Sequence, residues 1–115
     1  MPEVRKSQAT GEPIEWERIH DLPDYAHFNH SVHVNRGVGC TTCHGRVDQM
    51  EEVYQEKTLS MSWCIDCHRN PEQYVRPLDR ITDMEWSAND QLEVGREVCR
   101  EHGIDPPVNC STCHR

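Results

Sequence analysis

The sequence predicts a small, mostly irregular domain with a few short α-helices and little β structure, and three observations predict it. The 115 residues are 35% hydrophobic with a single Phe, and the mean hydropathy is −0.87. A chain this short and polar is marginal unless disulfides, a metal or a large apolar group supplements its core. Six of the seven cysteines fall into three identical frames: Cys40-Thr41-Thr42-Cys43-His44, Cys64-Ile65-Asp66-Cys67-His68 and Cys110-Ser111-Thr112-Cys113-His114. Three frames leave about 38 residues apiece, so whatever the frames hold must form much of the interior.

Cys-x-x-Cys-His reads as a c-type haem attachment motif. Two thiols three residues apart share one side of a helical turn and reach the two vinyl groups of one porphyrin. The trailing His then binds iron as the proximal ligand. The frames therefore predict three covalently bound haem c groups, held by Cys40, Cys43, His44, Cys64, Cys67, His68, Cys110, Cys113 and His114. Zinc is the competing reading, but it takes about four ligands per structural site, and three Cys pairs divide poorly into such sites. Disulfides would not require His after every second Cys. Cys99, the seventh, reads as a small buried apolar residue in a helix.

Taken in order, residues 1–13 are polar, lack periodicity and read as an N-terminal tail or docking strand; residues 14–115 read as one triheme domain. Between Ile14 and Leu22 the candidates for burial are Ile14, Trp16 and Ile19, and Pro23 ends the segment. Asp24–Val34 carries most of the histidines outside the frames and predicts a short helix. Arg36-Gly37-Val38-Gly39 is a flexible approach to the first frame, where backbone can pass close to a porphyrin. Residues 45–61 fit either a helix through Val47, Met50 and Tyr54 or an extended run. Asn70-Pro71 predicts an N-cap followed by Pro at the first helical position, with Pro77 as the stop. Ser87-Ala88-Asn89-Asp90 resembles a capping box. It would open a helix with Leu92, Val98 and Cys99 on one face and Gly103 as its C-cap. No run approaches the ~20 apolar residues of a membrane span.

Three irons need distal ligands. Outside the frames the pool is His20, His27, His30, His33, His102, Met50, Met61, Met84 and a few lysines. His30 and His33 are neighbours on one helix face. They cannot bind opposite faces of one haem, but each can serve a different one, so a short helix would clamp two haems together. For the middle haem, Met61 lies three residues before Cys64, with His27 and His102 as alternatives. A Met/His iron would sit at higher potential than bis-His neighbours. His20 reads as solvated or hydrogen-bonded, and His102 otherwise as a cation in a last helical turn.

Phe28-Asn29-His30-Ser31-Val32-His33 followed by three Cys-x-x-Cys-His motifs resembles the cytochrome c7/c3 class of multihaem proteins. The resemblance implies short helices wrapped around three haems. It also implies that the first His of this segment ligates the first haem and the second the third, pairing His30 with His44 and His33 with His114. A Met on the middle haem, as in some c7-like domains, matches Met61. The stretches His20–Tyr25, Phe28–Val38, Gly45–Met50 and Leu59–Pro71 further resemble the C-terminal haem region of the pentahaem cytochrome of alternative complex III. That is a bacterial quinol-oxidising membrane complex, and the similarity runs over about residues 14–115. Its subunit has five haems and a membrane anchor, against three motifs and no apolar span in this chain.

The formal net charge is −8, and haem propionates would add to it. Nucleic acid is excluded as a partner on charge. A basic or mixed-charge redox protein, a subunit of a quinol-oxidising complex or a neighbouring copy remains, with attraction that weakens as salt rises; Glu51-Glu52 is a candidate contact. Electron transfer, not enzymatic activity, is the function expected. The alternatives are a repeat unit of an extracellular cytochrome filament and a small haem oxyanion reductase, which needs an open iron. Haem is attached to such motifs outside the bacterial cytoplasm, so a periplasmic or extracellular location is expected, although Met1-Pro2-Glu3 does not begin an export signal.

Overall fold

A computed structural model describes all 115 residues, Met1–Arg115. Six short α-helices follow one another without a strand: α1 (Pro2–Thr10), α2 (His30–Val34), α3 (Cys40–His44), α4 (Met61–Arg69), α5 (Gln91–His102) and α6 (Cys110–Cys113). Single 3-10 turns occur at Val47–Gln49, Pro71–Gln73 and Leu78–Arg80. The predicted fold class is the one observed.

Residues 1–13 differ from expectation. Pro2–Thr10 is a helix, not an irregular tail or a strand. Pro sits in its first turn beside Glu3, and Gly11 closes it in the left-handed conformation at φ 72°. Pro near the start and Gly just past the end are strong helix punctuation, and here they act without apolar periodicity, because α1 buries no residue.

Each later helix has a local cause. The Asn29 side chain caps α2 by accepting from the Ser31 N–H at 2.9 Å, so the helix expected over residues 24–34 is confined to its last turn. Ser60 caps α4 by accepting from the Trp63 N–H at 3.3 Å. The Asn70-Pro71 signal yields only the 3-10 turn Pro71–Gln73. Between the first two motifs, past the 3-10 turn at Val47–Gln49, residues 51–60 form no helix. Ser87-Ala88-Asn89-Asp90 does not act as a capping box: α5 begins three residues later, after Asp90, with no side-chain cap. Gly103 does end α5, at φ 58°.

The polypeptide makes little core of its own. Val75 and Val98 are the buried apolar side chains, at 1% and 5% exposure. They lie where α5 docks on the turn at Pro71–Gln73, and a glycine permits that approach. A Cβ on Gly95 would stand 1.8 Å from the Glu72 carbonyl oxygen. The Gln91 side-chain amide then donates to the carbonyls of Glu72 (3.2 Å) and Val75 (2.7 Å). Trp16, expected to be buried, is 80% exposed, and Ile19 and Leu92 also face solvent. The radius of gyration is 16.8 Å, against about 13 Å for a compact domain of this length. The helices are thus arranged as an open framework, not around an apolar centre.

Candidate functional site

The three motifs each occupy a helical turn, on α3, α4 and α6. In a helix, residues i and i+3 share a face, so each Cys pair presents two thiols together. None of the seven cysteines is joined to another in a disulfide. The motifs lie side by side: Cys43 feels the charge of Cys64, and Cys64 that of Cys113. Burial, reinforced by Cys43, pushes the Cys67 thiol up to about 11. Burial likewise raises Cys43 and Cys64. No three His, Cys, Asp or Glu side chains converge as a metal site.

The histidines complete the arrangement. α2 presents His30 and His33 to two different motifs. The His30 and His44 rings are nearly parallel, at 6° between planes, with centroids 6.2 Å apart. His33 and His68 also have centroids 6.2 Å apart, at 49°. A metal–imidazole bond is about 2 Å long, and the ring centre lies roughly 1 Å beyond the nitrogen. Two imidazoles sharing one iron axis therefore have centroids about 6 Å apart, and both pairs meet that spacing.

The other ring nitrogens are held from behind. Nδ1 of His33 bonds to the Asn29 carbonyl at 2.7 Å, Nδ1 of His68 to the Pro107 carbonyl at 2.7 Å, and Nδ1 of His114 to the Tyr25 carbonyl at 2.9 Å. A carbonyl can only accept, so each Nδ1 carries the proton and Nε2 keeps its lone pair for a metal. His44 differs, because its Nδ1 faces Nε2 of the half-buried His20 at 3.3 Å. Burial pushes His33 and His44 below the ordinary histidine value, which favours the neutral, ligating form. Phe28 packs against both ligand-bearing rings of α2, with centroids 4.8 Å from His30 and 4.4 Å from His33.

A family model described as cytochrome c7 and related cytochrome c matches residues 26–115. The chain belongs to that family. No curated protein matches it at a significant level. As a c7-family cytochrome it is an electron-transfer protein that carries covalently bound haem c and works with redox partners. No helix is long and apolar enough to cross a membrane. The match begins at Ala26 and leaves α1 and the segment after it outside the family region.

Within this c7-family framework, α2 sets its second histidine beside the second motif. His33 faces His68 of the second motif, not His114 of the third. His114 has Tyr25 as its ring neighbour, at 5.8 Å. Met61 opens α4 with its side chain 64% exposed. Of its alternatives, His27 lies on the backbone of the third motif, donating its N–H to the Cys113 carbonyl at 2.7 Å. His102 turns Nε2 toward Glu101 at 3.9 Å. Before the first motif, Gly39 makes room for the Arg76 side chain and Gly37 for the Arg76 backbone. Sequence reasoning missed Arg76, Phe28 and the His20–His44 contact. Phe28, two residues before His30, carried a local signal; the other two did not.

Proposed function

We propose that this cytochrome is a three-haem electron carrier, with Cys40/Cys43, Cys64/Cys67 and Cys110/Cys113 as attachment points and His44, His68 and His114 as proximal ligands. The observation that carries the reading is the pair of imidazole–imidazole separations of 6.2 Å, each between a motif histidine and a histidine of α2. Haem iron, when bound, supplies a one-electron couple. The chain's own residues do the rest. His30 and His33 close the first and second sites from a single helical turn, which fixes the two sites relative to each other. The Asn29, Pro107 and Tyr25 carbonyls fix tautomer and ring orientation at three of the ligands.

The sequence assigns Met61 to the middle haem; because His33 faces His68 of the second motif, we propose Met61 for the third site instead, with His27 and His102 as its alternatives. His30 and His33 are engaged elsewhere. Tyr25 and His27 lie against the His114–Cys113 side of the motif, which leaves the opposite face to another element. Met61 opens α4 one helical turn before Cys64. All three irons would then be closed by protein ligands, as electron carriage requires and a reductase does not. With a net charge of −8, a basic or mixed-charge redox protein outside the cytoplasm is the partner proposed. A subunit of a quinol-oxidising complex is the case to try first.

Haem content and carbon monoxide binding test this. The native protein should exceed its polypeptide mass by about 1.8 kDa (three groups of about 0.6 kDa). The reduced protein should bind little carbon monoxide at native pH. A colourless sample, or strong carbon monoxide binding by the native protein, overturns the carrier reading. Concentration-dependent assembly would redirect it toward a filament subunit.

A further inference from the structure

We propose that Arg76 is a fixed buried charge that raises the reduction potential of the haem attached at Cys40–His44 above the value its ligands alone would set. The inference rests on the three-haem reading above.

Arg76 is 5% exposed yet takes part in none of the ion pairs. Its Nη2 donates to Oγ1 of Thr41, inside the first motif, at 2.8 Å. Its Nη1 donates to the carbonyls of Arg80 (3.3 Å) and Asp83 (3.0 Å). Nε is buried with no hydrogen-bond partner, and the guanidinium lies over the Trp86 ring, 5.0 Å from its centroid. Gly39, the residue before Cys40, makes the approach feasible, since a Cβ there would stand 2.2 Å from the guanidinium. An isolated buried cation is costly, and burial pulls Arg76 below its ordinary value. Even so, a guanidinium stays protonated at any accessible pH, so the site carries a permanent positive charge against the first motif.

The sign follows from charge counting. One electron arrives from the redox partner, no proton moves, and the centre becomes less positive by one unit. A nearby positive charge in a poorly screened interior favours that reduced state, so the potential rises. Asp83 opposes the effect in part. Its carboxylate adds negative charge beside the guanidinium, while it pairs with Arg80 at 3.6 Å and accepts from the Glu85 N–H at 3.1 Å.

The test is a redox titration of the holoprotein, followed by NMR with haem methyl signals assigned to each motif and with haem content measured in parallel. Arg76→Gln should lower the first-motif potential by at least a tenfold change in the one-electron equilibrium, about 59 mV, while the other two centres move less. Arg76→Lys should retain most of the wild-type value. Asp83→Asn should shift the same centre upward. Thr41→Val, which cuts the hydrogen bond and keeps the charge, should shift it less than Arg76→Gln does. The proposal is overturned if Arg76→Gln carries three haems and leaves the first potential in place. It is equally overturned if Thr41→Val alone reproduces the whole fall. Should Arg76→Gln fail to fold, an unmoved first potential in Asp83→Asn decides against it. A wild-type protein without haem at Cys40–His44 rejects the three-haem reading itself, a result distinct from three haems with unmoved potentials.

Discussion

His33 faces His68 across a centroid separation of 6.2 Å, and the two rings are braced from opposite ends of the chain. The Asn29 carbonyl holds one, and the Pro107 carbonyl holds the other. The second site is thereby built from α2, α4 and the segment leading into α6.

This pairing predicts which iron each histidine serves. His33→Ala should convert the second-motif iron to a high-spin form that binds carbon monoxide, and His30→Ala should do the same to the first. Electron paramagnetic resonance of each variant, with the motifs assigned, is the measurement. A change at the His114 centre in His33→Ala would restore the pairing implied by resemblance.

Met61→Leu should lower one of the three potentials, because loss of a thioether ligand removes the feature that places a Met/His iron above bis-His neighbours. The affected centre should be the third. A titration with all three potentials unchanged rejects Met61 as a ligand, and His27→Ala and His102→Ala then identify the replacement.

Gly95→Ala should destabilise the protein, against its helix propensity. Alanine gains roughly 1 kcal/mol over glycine inside a helix, but overpacking costs about 1–3 kcal/mol. The added Cβ here meets backbone 1.8 Å away, not a flexible side chain. A net loss of up to about 2 kcal/mol is expected in denaturant unfolding, with Gln91→Ala on the same interface losing about 1 kcal/mol.

Tyr74 should ionise late. Its hydroxyl donates to the Asp66 carboxylate inside the second motif, and that bond, aided by burial, pushes the phenol up to about 12 from an ordinary 10. The folded state holds this proton more tightly than the unfolded state. The contribution to stability is therefore complete below pH 10 and lost as pH climbs through about 12. An ultraviolet titration should show one phenol ionising late, near pH 12, and Asp66→Asn should bring it back toward its ordinary value.

Much of the site was legible in the sequence because its signals are local. Cys-x-x-Cys-His needs only a helical turn to work, and each of the three frames forms one. His30 and His33 stand at i, i+3, and the helix that puts them on one face does form, over His30–Val34. Gly103 ended α5 as its position indicated. The capping signal at Ser87 misled because α5 takes its start from docking: Gly95 and Gln91 meet the Glu72–Val75 backbone, and that contact sets the register. Pro2–Thr10 was missed because a helix with no buried face leaves no periodicity to read.

The sequence by itself therefore determined the three motifs with their helical turns and a fold too poor in apolar residues to close on its own. Only the tertiary structure decided that His33 meets His68, that Arg76 lies buried against Thr41, and that His20 stands behind His44. The physical reason is separation along the chain. A motif is fixed by backbone geometry over five residues, whereas these contacts join residues 24 to 35 positions apart. Their partners are chosen by how the helices pack, which no local pattern encodes.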